Sequence, residues 1–420
     1  MQQTMPRYQF GPFQLDAAEH RLLRNGVEVQ LQLKVFETLC VLVENSGRLL
    51  KKEDLLQKVW PDTVVEENNL NKNVSLLRKA LGKNTNGQSY IETVPRVGYR
   101  FVAAVTELDP PEISQIETQA DQALASLPRQ EIRFCVTSDG VRIAWATVGS
   151  GYPLVKAANW LNHLDYEWES PVWKHWIAEL TKHHRFVRYD ERGNGLSDWA
   201  VKDLSVKAWV QDLETVVDAA GVDRFALMGI SQGGAPAITY AVRHPERVSH
   251  LILMGAYSRG WEHRDSPEAL NARHAFETLV RLDWGTKNPA FSFNFADLYV
   301  PQNATLEHQE WFNALRRVSA SPENAARIME ACDKINVRAL LGSVSVPTIV
   351  FHSDRDRAVP PDEGRILAAE IPNAKFVPLP SANHLLLADE PAWKIFVHEL
   401  GAFLGWQDVA IPHKEPREQP

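Results

Sequence analysis

The sequence predicts two dissimilar domains in one chain. A small α+β unit of sheet, three helices and a closing hairpin comes first. A larger α/β domain follows, with a mostly parallel sheet, helices on both faces and a helical cap. Three observations predict this. The apolar period changes from two to helical near residue 33 and back to strands near residue 90. From Ile132 onward, strand-like runs alternate with helical ones, the pattern of a parallel sheet. The charge also divides: residues 1–105 hold 14 Lys/Arg against 11 Asp/Glu, and the rest 31 against 42, within a net charge of −8. A mildly basic module joined to an acidic one implies two tasks. The 420 residues suffice for two or three domains, and 44% hydrophobic with 23% charged residues excludes a disordered or fibrous chain.

In the front unit, Tyr8-Gln9-Phe10, Phe13-Gln14-Leu15 and Val27-Glu28-Val29 alternate apolar and polar residues. Gly11-Pro12 and Asn25-Gly26 separate them, so they predict a small antiparallel sheet. Val35, Phe36, Leu39, Cys40, Leu42 and Val43 follow helical spacing up to Asn45-Ser46-Gly47. A second helix is predicted at about 51–60, with Leu55, Leu56 and Val59 inward. A third at about 66–82 carries Leu70, Val74, Leu77 and Leu81 on one face and stops at Gly82. Tyr90–Val94 and Tyr99–Val102 flank Pro95-Arg96-Val97-Gly98 as a hairpin.

This order makes a winged helix-turn-helix. The run Tyr90-Ile91-Glu92-Thr93-Val94-Pro95-Arg96-Val97-Gly98-Tyr99-Arg100-Phe101, preceded by Leu76-Leu77-Arg78-Lys79-Ala80-Leu81-Gly82, resembles the effector domain of OmpR/PhoB-type regulators over about residues 6–105. The resemblance implies that the third helix enters the major groove of double-stranded DNA. It offers Asn69, Asn71, Lys72, Asn73, Ser75 and Arg78 as contacts. Arg96 at the hairpin tip would reach the minor groove, and Tyr99 and Arg100 would support the wing or touch phosphate. Asn suits adenine, and Arg or Lys suits guanine or phosphate.

Residues 106–130 are expected to be a connector. It is broken at Asp109-Pro110-Pro111, and Ile113, Ile116, Ala120, Leu124 and Leu127 stand at near-helical spacing. The second domain is expected over 131–406, followed by a flexible tail at 407–420. Its predicted strands are Arg142–Val148, Leu154–Ala157, Phe186–Tyr189, Phe225–Met228, Leu251–Met254, Thr348–Phe351 and Lys375–Pro378. Ser205–Ala220 and Ala235–His244 are among the predicted helices. Between the strands at 251 and 348 lies a helix-like, aromatic segment with Trp261, Phe276, Trp284, Phe291, Phe293, Phe295, Tyr299, Trp311 and Phe312. It is expected to form a cap at about 257–342.

Gly229-Ile230-Ser231-Gln232-Gly233 follows a predicted strand and precedes a predicted helix. A sharp strand-to-helix turn there would present Ser231 Oγ at the sheet's carboxyl edge, with the Gln232 backbone N–H beside it as an oxyanion donor. A base and an orienting acid are then needed. His384 lies in Ser381-Ala382-Asn383-His384 after the last strand, and Asp354 and Asp356 follow the strand before it. The chemistry assigns His384 to take the Ser231 proton and the acid to fix its imidazole.

Residues 132–405 resemble the α/β-hydrolase superfamily. The elbow carries the resemblance, with Asp190-Glu191-Arg192-Gly193-Asn194-Gly195-Leu196-Ser197-Asp198 and His244-Pro245-Glu246-Arg247-Val248. His352 to Pro360 is similar to the family's H-G-x-x-D-x-x-V-P, which puts the acid on Asp356 and makes Ser231, Asp356 and His384 the implied catalytic set. The family's usual His-Gly is replaced here by Ala158-Asn159, and Ser353 stands at a usual glycine. The second oxyanion donor would be the Trp160 backbone N–H, with Asn159 supplying the left-handed turn.

Cys40, Cys135 and Cys332 build neither a disulfide framework nor a zinc-ligand set. The opening MQQTMPRYQF carries no signal-peptide apolar run, and no stretch approaches the roughly 18 apolar residues of a membrane helix. The expectation is a cytoplasmic protein with no membrane partner, no metal and no cofactor. Its expected partners are DNA, a small ligand and a second copy of itself in a homodimer. The function expected is a one-component transcription regulator that senses, and hydrolyses, an ester, lactone or amide. Alternatives are a serine esterase with an accessory DNA-binding module, and a binding-only sensor.

Overall fold

The computed structural model describes residues 7–16, 21–24, 27–29, 31, 33–59, 67–83, 89–95, 97–108, 129–264, 266–286, 288–302 and 304–406. Arg96, the proposed connector helix and the tail from 407 lie outside the described residues. The chain divides into two units, Met1–Ser114 and Gln115–Pro420, each taken here by itself.

In the first unit, β1 (Arg7–Phe10), β2 (Phe13–Asp16), β3 (Arg21–Arg24) and β4 (Val27–Glu28) form an antiparallel meander. Helices follow at Leu33–Glu44, Lys52–Val59 and Glu67–Leu81, within two residues of their expected ends. Between the first two, the short β5 (Leu49–Lys51) pairs with β7 (Gly98–Phe101), which also pairs with β6 (Ile91–Val94) in the expected hairpin. Thr106–Leu108, counted with the connector on sequence grounds, is β8 and pairs antiparallel with β1. One core holds the unit together. Phe10, Phe13, Tyr90 and Phe101 stack edge-on and face-on at 5.0–6.2 Å, against Leu39, Leu70, Val74, Leu77 and Leu81. Burial of the leucine stripe is what fixes the third helix, since its asparagines are poor helix formers.

In the second unit, eight strands make one sheet: β9 (Glu131–Val136), β10 (Arg142–Val148), β11 (Tyr152–Ala157), β12 (His184–Tyr189), β13 (Phe225–Ile230), β14 (Val248–Met254), β15 (Thr348–Ser353) and β16 (Lys375–Leu379). Their order is β16-β15-β14-β13-β11-β12-β10-β9. The six strands from β16 to β12 run parallel, and β10 and β9 add antiparallel at one edge. β13 and β15 are buried along their whole length, as strands covered on both faces must be. The chain turns from β12 on one side of β11 to β13 on the other. The carboxyl ends of β11 and β13 therefore meet at a topological switch point, where open α/β sheets bind ligands.

Among the described residues, four α-helices lie between β14 and β15: Pro267–Asp283, Pro289–Tyr299, Leu306–Ser319 and Pro322–Asp333. This cap is held by aromatic packing. Trp284 and Phe295 are fully buried, and the Trp284 indole donates to Ala320 O at 2.9 Å. Among the described residues no helix is long and apolar enough to cross a membrane.

Candidate functional site

Ser231 follows the last residue of β13 and has φ of +53°, a left-handed value that a serine adopts only under constraint. The constraint is close packing of the turn. A Cβ on Gly233 would stand 2.8 Å from Ala158 O, so only glycine lets the elbow approach the loop after β11. The helix Gly234–Arg243 then carries the chain away. Ser231 is half-buried, while Gln232 is buried.

His384 and Asp356 are brought together by the ends of β16 and β15. His384 Nδ1 and Asp356 Oδ2 are 2.7 Å apart, with both residues buried. Asp356 Oδ1 accepts the backbone N–H groups of Ala358 and Val359 at 2.9 and 3.0 Å, which fixes the carboxylate plane. The other ring nitrogen, His384 Nε2, is buried and has no partner among the described residues. Ile230 pairs with Met254, so Ser231 stands beside Gly255. A Cβ on Gly255 would lie 2.9 Å from His384 Cε1, and the absence of that atom lets the ring lie against the end of β14; no hydrogen bond joins His384 Nε2 to Ser231. Asp354, the other acid of the loop, is half-exposed and faces Arg355 at 3.6 Å.

The loops carrying these groups are stapled to one another. Ser353, where the family has glycine, donates through Oγ to Asn383 O at 2.7 Å, joining the acid loop to the histidine loop. Asn383 exchanges hydrogen bonds with the backbone of Gln302, and His384 N donates to Tyr299 O at 2.8 Å, so the histidine loop is bound to the cap. Glu390 accepts from Ser381 Oγ and from Leu387 N behind it. Burial raises the Glu390 carboxyl above its usual range.

The oxyanion loop departs from expectation in two ways. Asn159 is not left-handed; among described non-glycine residues only Ser231 and Asn373 have positive φ. The turn therefore forms without the glycine-like geometry that the replaced His-Gly suggested. Second, the Trp160 N–H is occupied: it donates to Gln232 Oε1 at 2.9 Å. Gln232 Nε2 in turn donates to Glu191 Oε2 at 2.6 Å. Burial pushes the Glu191 carboxyl up to about 8, against the pull of the Gln232 hydrogen bond. Trp160 stacks on Trp284 at 5.3 Å and meets Phe295 edge-on, so the cap aromatics roof this loop.

The segment Asp190–Asp198 frames the same loop. Asp190 accepts from Asn162 Nδ2, Leu164 N and Leu196 N. Its carboxyl is pushed up to about 7 by burial. Arg192 is fully buried, paired bidentately with Asp212 at 2.7–2.8 Å and also with Asp139. These side chains hold the strand ends in place. Sequence reasoning missed Glu191 and the Gln232 side chain. The sequence offered little signal, because Glu191 stands in the polar run Asp190-Glu191-Arg192, and only its burial shows that it needs a partner.

In the winged helix the nine named residues divide. Asn69, Lys72 and Ser75 are exposed on the third helix. Asn73 is buried instead: Nδ2 donates to Lys34 O at 2.9 Å and to Thr38 Oγ1 at 3.0 Å, pinning the third helix to the first. It is one turn from Leu70 and next to Val74, so helical spacing puts it on the inner face. Arg78 clasps the hairpin through Ile91 O at 2.8 Å and Thr93 Oγ1 at 2.6 Å. Tyr99 Oη donates to Asn71 Oδ1 at 2.7 Å, and Tyr99 is buried. Arg100 is half-exposed and 3.5 Å from Glu92. Arg96 lies outside the described residues.

A switch-point serine elbow under a helical cap, preceded by a winged helix, defines an α/β-hydrolase-fold protein with a regulatory DNA-binding domain. The chain belongs to the α/β hydrolase fold family, whose pattern it matches over residues 160–391. Residues 26–101 match the C-terminal domain of transcriptional regulatory proteins. The chain is 26% identical to the AB hydrolase superfamily protein YisY of Bacillus subtilis (strain 168), covering 59% of this chain and 90% of that one. It is 26% identical to the 2-hydroxy-6-oxo-2,4-heptadienoate hydrolase of Pseudomonas putida (strain F1), covering 55% and 81%. The esterase EaEST from Exiguobacterium antarcticum shares the fold, with a TM-score of 0.56 and 23% identity, covering 65% of this chain and 98% of that one.

Proposed function

We propose that the chain is a cytoplasmic, homodimeric transcription regulator that binds double-stranded DNA through the winged helix. In this reading the second domain takes a small, largely apolar ester, lactone or amide beneath the aromatic cap and hydrolyses it with Ser231, His384 and Asp356. The observation that carries the reading is the buried 2.7 Å bond between His384 Nδ1 and Asp356 Oδ2, with the buried Nε2 left without a partner among the described residues. A buried imidazole nitrogen without a partner is unfavourable unless the site uses it.

The steps follow from these positions. Ser231 Oγ attacks the acyl carbon while His384 Nε2 takes its proton, and Asp356 steadies the imidazolium. The Gln232 backbone N–H opens the turn after the serine and holds the oxyanion, with Trp160 N–H as the second donor. Collapse expels the alcohol or amine, which takes the proton from His384. Water then cleaves the acyl-serine by the same transfers in reverse, releasing a carboxylic acid. Ligand occupancy would alter how two winged helices address adjacent DNA sites, and cleavage would end the signal.

The test is turnover of short p-nitrophenyl esters and lactones by the full chain and by Ser231→Ala, with footprinting on the DNA flanking its own gene. Ser231-dependent turnover together with a footprint is expected. No Ser231-dependent turnover across the panel sinks the catalytic part; no footprint sinks the regulatory part. One observation favours a second reading, a binding-only sensor: the Trp160 N–H is already bonded within the protein.

A further inference from the structure

We infer that the Gln232 side chain is an internal stand-in for the acyl oxygen of the ligand. Its carboxamide oxygen holds the Trp160 N–H in the resting site, and Glu191 holds the carboxamide. The inference rests on the acyl-hydrolase reading above and turns the observation that favours a mere sensor into a feature of a working site.

Three features support it. First, the chemistry matches. Gln232 Oε1 is a neutral amide oxygen 2.9 Å from Trp160 N, the same kind of acceptor as an ester or amide carbonyl. One residue thus offers its backbone N–H to the oxyanion from one side and blocks the facing donor with its side chain. Second, the fixed and movable parts are distinguishable. The Trp160 ring is clamped on Trp284 at 5.3 Å and on Phe295 at 6.2 Å, so the loop bearing the N–H is held. The buried Gln232 carboxamide is held by two hydrogen bonds, from Trp160 N at 2.9 Å and to Glu191 Oε2 at 2.6 Å, and its three side-chain torsions are the freedom by which it can yield the first and keep the second. Third, a receiving position exists. Glu191 Oε1 is buried and without a partner among the described residues, so a displaced carboxamide can keep a hydrogen bond to Glu191 after leaving Trp160.

The consequence is a selective site. A charged oxyanion accepts from Trp160 N–H more strongly than the neutral Gln232 oxygen, whereas a ground-state carbonyl competes only evenly. Displacing Gln232 costs every occupant the same neutral hydrogen bond, which a tetrahedral oxyanion more than regains and a ground-state carbonyl does not. Gln232 and Glu191 act as positioning residues.

The experiment uses the full chain and two probes. A fluorophosphonate labels Ser231: the Oγ–P bond forms, fluoride leaves and His384 takes the serine proton. Phenylboronic acid forms a tetrahedral adduct on the same oxygen. Gln232→Met keeps length and the backbone N–H but removes the acceptor. Releasing one neutral hydrogen bond should raise both the labelling rate and the boronate affinity roughly two- to tenfold. A structural role alone would lower both. Glu191→Gln preserves volume and, assayed at about pH 9 where Glu191 is charged, loosens the grip on Nε2, so a smaller rise of about twofold is expected, and it stands in if Gln232→Met loses its cooperative melt. Wild type that labels no slower than both variants overturns the inference and leaves the triad reading intact. Labelling of no form of the protein overturns both. Silent wild type with a labelled Gln232→Met supports the inference in its strongest form.

Discussion

Asp356→Asn changes two atoms, and the structure dictates which way the new amide must lie. Oδ1 accepts two backbone N–H groups, from Ala358 and Val359 at 2.9 and 3.0 Å. An NH2 group there would face two donors, so the amide oxygen keeps that place and Nδ2 takes the position of Oδ2, 2.7 Å from His384 Nδ1. A donor now meets Nδ1, which must become the acceptor. The ring proton moves to Nε2, and on the proposed mechanism that nitrogen can no longer accept the Ser231 proton. Loss of the base in this way costs about 10³–10⁴ in kcat, or ~4–5 kcal/mol of transition-state stabilisation. The measurement is kcat on an ester that wild type turns over, with the melting temperature recorded alongside. Asp354→Asn, at the half-exposed neighbour whose carboxylate pairs with Arg355, should stay within about twofold. A loss below tenfold for Asp356→Asn, or a greater loss for Asp354→Asn, would refute the assignment of the acid.

Four further outcomes are expected. Asn73→Ala removes two buried hydrogen bonds between the first and third helices and should cost ~1–3 kcal/mol in a denaturant melt, without changing base preference. Lys72→Ala should leave stability unchanged, weaken binding to all DNA sequences alike and reduce the salt slope by about one. Gly233→Ala places a methyl 2.8 Å from Ala158 O and should destabilise by ~1–3 kcal/mol while lowering labelling of Ser231. Glu191 is raised to about 8 by burial, with Gln232, Arg192 and Lys156 favouring its charge and Asp212 opposing it. The folded protein therefore holds this proton more tightly than the unfolded chain does. Its contribution to stability is complete below the ordinary glutamate range and declines as pH rises to about 8. Glu191→Gln should thus gain melting temperature over wild type progressively across that window, with no further gain above it.

Most of the fold was legible because burial imposes periods. The seven expected strands of the second domain all formed. The edge strand β16 exposes Lys375 and Pro378, while the inner ones are apolar runs too short for a helix and buried on both faces. β13, for example, is buried at every residue. The strands that escaped notice lack that signature. β9 is an exposed edge strand bearing Glu131, Arg133 and Phe134, and β5 and β8 are three residues each, defined by partners rather than by pattern. In the third helix, the leucine stripe marked the inner face correctly, but polarity alone placed Asn73 outside when its spacing from Leu70 and Val74 placed it inside. A polar type says what a residue can bond, and only position says to what. Arg78 makes the same point: its guanidinium is used on the hairpin backbone.

The candidate set Ser231, Asp356 and His384 could be located in the sequence for a different reason. The serine is announced by its glycine neighbours, and the acid and base by the strands they follow. The groups that condition the site are not announced, because they act through contacts between segments distant in sequence. Glu191, Gln232 and Trp160 meet from three strand ends, and Ser353, Asn383, Gln302 and Tyr299 join the acid loop, the histidine loop and the cap. These links bear on the division between sensing and catalysis. The cap residue Tyr299 accepts from His384 N, and the cap residue Trp284 stacks on the oxyanion loop at 5.3 Å. A ligand that shifts the helices Pro267–Asp283 or Pro289–Tyr299 must therefore move the base or the oxyanion donor with them. Packed interiors respond to displacement by switching between discrete arrangements rather than by stretching. On the proposed reading, ligand occupancy beneath this cap and the reactivity of Ser231 are therefore coupled through these contacts.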